Sequence, residues 1–156
     1  EEPALDRYMN EKPVAKKANI LTGYMKSAIG VASAFITLVC LAILKNVGGI
    51  QDFITNGTGN FEMVTTFTFT VFIYAVIFNS FNTRSNGFNI FEHIGKNKKF
   101  LIVMISIAVV QTLIIQFGGK VFSTVPMDIQ HYIIALLIAV LIIPADFIRK
   151  ALTKNK

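Results

Sequence analysis

Oxygen-bearing side chains recur at helical spacing in one apolar stretch of this 156-residue chain. Thr68, Ala75, Asn79 and Asn82 follow one another at steps of seven, four and three, so a helix carries all of them on one face. Neutral oxygens suit hard cations, and a wall lined this way could border an ion path. The alternative is hydrogen bonding between helices, with the hydroxyls of Thr65, Thr66, Thr68 and Thr70 returning to their own backbone. Asp146 is the carboxylate at the end of the last apolar run. Arg149 and Lys150 follow it three and four residues later on the same helical face, which predicts a local ion pair near a membrane edge. Gln111 is the deepest amide of the third apolar block and needs a partner. His93 and His131 stand alone, and the single cysteine, Cys40, cannot build a thiolate cluster. These residues therefore give no metal, catalytic or cofactor-binding site, and no phosphate loop or nucleophile elbow occurs.

The elements that carry these residues are apolar to an extent foreign to soluble domains. The chain is 53% hydrophobic with a mean hydropathy of +0.58, and only 15% is charged, against about a quarter in soluble domains. Residues 27–44, 63–78, 101–117 and 132–145 contain no charge at all. With their flanks they approach the ~20 residues that a helix needs to cross a bilayer. Helices of a soluble bundle keep a charged face, and these do not. The expected fold class is an all-α polytopic membrane protein of four transmembrane helices, spanning about residues 24–46, 62–82, 99–117 and 131–150. Residues 1–21 form a loop before the first span, and residues 22–156 form the four-helix domain.

Charge orients the spans. Of 15 Lys and Arg, thirteen lie before the first block, between the second and third, or after the fourth; only Lys45 and Lys120 lie in the other two connections. By the positive-inside bias both termini face the cytoplasm. Anchoring to the inner leaflet accounts for the net charge of +6 without a nucleic-acid partner. In the first span Gly23, Ser27, Gly30, Ala34 and Thr37 form a stripe of small residues, a surface for close helix approach. Pro144 is expected to bend or break the fourth helix. The charged opening, without an initiator Met or signal-peptide pattern, reads as a piece of something longer.

Several stretches resemble the P-type calcium-transporting ATPases, closest to the plasma-membrane-pump branch and its bacterial relatives. FNSFNTRS followed by NIFEHIGKN is similar to the loop after that family's eighth transmembrane helix, through Phe78, Asn79, Asn82, Arg84, Asn89, Ile90 and Phe91. FGGKVFSTVP resembles the outer loop before the last helix, and LIIPADFIRK the end of that helix. Glu2, Pro3, Asp6, Met9, Pro13, Val14 and Lys16 resemble the cytoplasmic loop between the sixth and seventh helices. The resemblance implies the last four helices of an ATP-driven calcium exporter in the cell membrane. ATP, magnesium and calcium would be handled by upstream parts, and this segment would hold no cofactor and no catalytic residue. Its implied partners are the bilayer, the upstream transmembrane helices and the phosphorylation domain, the last touched by residues 1–17. The Gly23 stripe would seat the family's fifth helix. Where the family can place Glu or Gln one turn before Asn79, this chain has Val76, which implies one ion per cycle. A free-standing four-span scaffold or regulatory subunit, or a pump for another cation, stays open.

Overall fold

The computed structural model describes residues 21–85, 87–91 and 94–154. The expected loop contacts of residues 1–17, and His93, lie outside the described residues. Four helical segments are long and apolar enough to cross a bilayer: Gly23–Leu44, Phe61–Arg84, Lys98–Phe117 and Ile129–Thr153. The described residues contain no strand. In chain order the helices are α1 (Gly23–Leu44), α2 (Ile50–Thr55), α3 (Phe61–Arg84), α4 (Lys98–Phe117), α5 (Gly119–Phe122), α6 (Ile129–Val140) and α7 (Ile142–Lys154).

Side-chain caps set the starts of three spans. Thr22 accepts from the Met25 N–H at 3.2 Å, Asn60 from those of Glu62 and Met63 at 3.0 and 3.4 Å, and Asn97 from that of Phe100 at 3.0 Å. Each cap satisfies a donor that the first turn would otherwise leave unpaired. The other end of α1 is closed by a different device. Asn46 turns left-handed at φ 53° and accepts from the Gln51 N–H at 2.8 Å. Gln51 then donates its side-chain amide back to the Ile43 and Leu44 carbonyls at 2.9 and 3.0 Å. Helix α1 accordingly stops at Leu44.

Helix α3 is the centre of the molecule, packed against α6, α1, α7 and α4. Its buried residues Val64, Phe67 and Val71 meet Ile115, Tyr132 and Ala135. A second cluster joins Tyr74, Ala75 and Ile77 to Ala139. Ala135 and Ala139 are four residues apart on α6, fully buried, and small enough to bring the α6 and α3 backbones close. Outward-facing Ile102, Ile105, Val109, Val110 and Leu113 of α4 are exposed. In a bilayer that face meets lipid, where exposure of apolar side chains costs nothing.

The fourth span is two helices, α6 and α7, meeting at Leu141. Pro144 is the third residue of α7, inside its first turn, where a missing N–H breaks no intrahelical bond. The chain therefore breaks ahead of the proline, and Ala145 bonds back to the Leu141 carbonyl at 3.3 Å.

Candidate functional site

The hydroxyls of α3 return to their own helix. Thr65 and Thr66 donate to the Glu62 carbonyl at 2.9 and 2.8 Å, Thr68 to Val64 at 2.8 Å and Thr70 to Thr66 at 2.8 Å. Two of these residues also hold the connection before α6. The Thr66 hydroxyl accepts from the Val125 N–H at 3.1 Å, and Thr70 contacts the Met127 sulfur at 3.7 Å. Thr68 is buried in one half of α3, whereas Asn79 lies eleven residues on, roughly 16 Å along the axis. The two therefore stand at separate levels of the helix.

Asn79 and Asn82 also part company. Asn82 is 1% exposed and donates its amide to the Ile142 carbonyl at 3.2 Å, bracing α3 against the first turn of α7. Asn79 is half-buried, its side chain makes no hydrogen bond among the described residues, and it lines a cavity between α1, α3 and α7.

Beside Asn82 lies a buried ionic cluster. Arg149 Nε donates to Asp146 Oδ1 at 2.6 Å, and Lys150 Nζ stands 3.1 Å from Asp146 Oδ2. The i, i+3 and i, i+4 spacing put both cations on the carboxylate, as the sequence indicates. Arg149 reaches further: its terminal nitrogens donate to Ser27 Oγ and the Tyr24 hydroxyl, both at 3.2 Å. Its guanidinium also lies over the Tyr24 ring, 4.4 Å from the centroid. Lys150 donates to the main-chain carbonyls of Asn82 at 3.0 Å and Gly87 at 3.1 Å. The Asn82 carbonyl belongs to the last turn of α3, where the helix dipole is negative and carbonyls lack intrahelical partners, and that of Gly87 to the loop just beyond it. One carboxylate and two cations thus tie α1, α3 and α7 together at the end that the basic connections assign to the cytoplasm.

The small-residue stripe sits otherwise. Ser27 is half-buried through Arg149, while Gly23, Gly30, Ala34 and Thr37 are exposed. A Cβ added at Gly23 or Gly30 meets nothing within 4 Å. Close packing through small residues occurs at Ala135 and Ala139 instead, a pair whose four-residue spacing carries the same signal and went unread. The partners of Arg149 on α1 carry no sequence signal, being 122 and 125 residues distant.

Away from the cluster, Tyr74 in the middle of α3 and Thr112 share a hydrogen bond at 3.0 Å, and Gln116 donates to the Met127 carbonyl at 2.9 Å. Gln111 is buried with its Nε2 unpartnered among the described residues. His131 is buried beside the rings of Phe53 and Phe67, with centroids 6.0 and 6.5 Å away. Among the described residues no group of three or more His, Cys, Asp or Glu could hold a metal ion. What the cluster provides is mechanical: fixed charges joining three helices.

The fold and this cluster define a multi-pass integral membrane domain of four spans, locked at one end by buried charge. Residues 1–152 match the family described as "Cation transporting ATPase, C-terminus", and the chain belongs to it. It is 31% identical over 138 residues to the putative calcium-transporting ATPase 11, plasma membrane-type, of Arabidopsis thaliana, covering 88% of this chain and 13% of that protein. It is 26% identical to the plasma membrane calcium-transporting ATPase mca-1 of Caenorhabditis elegans, over 88% of this chain and 11% of that one. Identity is also 26% to calcium-transporting ATPase 2 of Schizosaccharomyces pombe, over 99% and 12%. The chain thus spans about an eighth of the length of these relatives. No solved structure matches it.

Proposed function

We propose that this chain is the C-terminal membrane part of an ATP-driven P-type calcium exporter of the cell membrane, and that it supports the helices that carry the ion. The observation behind this reading is the match of residues 1–152 to the C-terminal region of cation-transporting ATPases, joined by calcium-transporting relatives from plant, animal and fungus. ATP, magnesium and calcium then bind upstream of these residues, and the phosphorylated aspartate lies there as well.

The part assigned to this segment follows from its chemistry. A pump alternates access to its ion by moving some elements against others that stay fixed. The Asp146–Arg149–Lys150 cluster joins α1, α3 and α7 through buried contacts that cannot slide without stranding a charge. Such a unit acts as a buttress. Thr68 and Asn82 belong to its internal bonding, and Val76 offers no oxygen to an ion. The stripe of Gly23, Gly30, Ala34 and Thr37 is open for an upstream helix.

The test is phosphoenzyme formation from ATP by the full-length protein in membranes, with calcium present and with calcium chelated. Calcium-dependent labelling supports the reading. Labelling that requires another cation instead reassigns the ion. A full-length protein without the phosphorylatable aspartate is a separate scaffold or regulatory subunit, and the reading is then wrong.

A further inference from the structure

Among the described residues the buried cluster holds one more formal cation than anion, an excess that the carbonyl end of α3 offsets only in part at Lys150. Asp146 carries one negative charge and Arg149 and Lys150 two positive ones, and none of the three is more than 6% exposed. The other carboxylates among the described residues, Asp52, Glu62 and Asp128, lie at the opposite ends of the spans. A surplus cation at this depth is costly unless an anion meets it.

The two cations differ in what they have left to offer. Lys150 has three donors and three oxygens around it: Asp146, and the carbonyls of Asn82 and Gly87. Arg149 spends Nε on Asp146 and one N–H of each terminal nitrogen on Ser27 and Tyr24. A guanidinium has five N–H groups, so each terminal nitrogen keeps one spare. Arg149 lines a cavity of about 210 Å³ between α1, α3 and α7, whose wall also carries Ala28, Asn79 and Thr83. Its lining is exposed and apolar at Met25 and Ile29. Unused donors, an unpartnered amide and, among the described residues, one carboxylate against two cations therefore meet in one place.

We propose that this cavity receives the carboxylate of an aspartate or glutamate carried by a membrane helix of the upstream chain, held by the spare N–H groups of Arg149 and by Asn79. The inference rests on the reading of the segment as the end of a longer pump. Ala28 lies five residues into α1 and Asn79 five residues before the end of α3, about 8 Å from those helix ends. A loop descending that far would strand its main-chain polar groups, whereas a helix satisfies them internally. A lipid phosphate would have to leave headgroup level, and would uncover the charge each time it exchanged. A covalently linked helix holds its carboxylate there at high effective concentration.

The experiment uses the full-length protein in its membrane. Cys40 is replaced by Ala, a cysteine is placed at the cavity rim as Thr83→Cys, and a benzophenone maleimide on it is photolysed. The joined peptides are then sequenced by mass spectrometry. The expected adduct is to an upstream apolar peptide with an Asp or Glu within one helical turn of the attachment point. Adducts only to phospholipid, to residues 1–20, to a second copy, or to an upstream peptide lacking an acid would each overturn the proposal. A charge swap gives an independent reading. Arg149→Glu should lower the yield of monodisperse protein about tenfold, and exchanging the identified acid for Arg in the same protein should raise it again by about threefold, the remainder being the lost contacts to Asp146, Ser27 and Tyr24. No recovery would overturn the pairing. Phosphoenzyme assays on the unmodified protein report on the pump reading separately, so the two can fail independently.

Discussion

The side-chain amide of Asn82 on α3 is bonded at 3.2 Å to the main-chain carbonyl of Ile142, 60 residues further along the chain. Its position is fixed by the break between α6 and α7, which turns the first residue of α7 toward α3. Replacing Asn82 with Leu removes that bond and leaves a buried carbonyl without it. The expected loss is about 1–3 kcal/mol. Thermal unfolding in detergent, followed by a conformation-sensitive fluorophore or by size-exclusion yield, measures it. An unchanged midpoint would remove Asn82 from the structural core.

Asp146→Asn leaves Arg149 and Lys150 buried without their anion. Breaking such a pair costs about 3–5 kcal/mol, because the charges that remain stay desolvated. Combining Asp146→Asn with Arg149→Met and Lys150→Met removes the stranded charge and should recover most of the loss. If the single and triple variants were equally unstable, the cluster would matter for packing rather than charge.

Helices α3 and α6 touch through alanines, so added volume there has nowhere to go. Ala139→Leu should destabilise by about 1–3 kcal/mol, as overpacking of filled interiors does. Gly30→Leu makes the opposite case within this segment. Its new side chain meets open space, and the four-helix segment should unfold at the same temperature as the parent. In the full-length protein the same substitution is expected to lower assembly and transport together, because the face is then covered. Equal transport by parent and Gly30→Leu would exclude that face as a helix seat.

The threonines of α3 separate by what they hold. Thr68→Val removes only a local bond to the Val64 carbonyl and should shift stability by less than about 0.5 kcal/mol. Thr66→Val also unpairs the Val125 N–H and should cost about 1–3 kcal/mol. Hydrogen exchange at Val125 reports the difference directly: faster in Thr66→Val, unaltered in Thr68→Val.

Much of this architecture can be read from local pattern. Uncharged blocks of bilayer length predict four spans, and those four helices are present. The spacing of Asp146, Arg149 and Lys150 predicts their pairing, since three and four residues bring side chains together on any helix. Threonine hydroxyls in an apolar helix have few acceptors nearer than their own backbone. What stayed illegible depends on the approach of distant elements. Tyr24 and Ser27 find Arg149 only because α1 lies beside α7, and periodicity within α1 contains no trace of that. Asn79 and Asn82 share a sequence motif yet serve different neighbours, because three residues rotate the side chain by about 60° from its predecessor. The bend or break expected of Pro144, with a carbonyl freed about one turn earlier, corresponds to the junction at Leu141, three residues ahead of it, because the first turn of a new helix tolerates proline and an established turn does not.

Lys150 sets a tethered positive charge at the carbonyl end of α3. Because it is tethered to α7, its occupancy does not depend on the salt of the cytosol. It depends on synthesis. A nascent chain that has inserted α1 and α3, with α7 still inside the ribosome, has an open α3 terminus at Asn82 and no counter-charge for it. Closure of the junction thus waits for the arrival of residues 146–150, and α7 serves as the latch on α1 and α3.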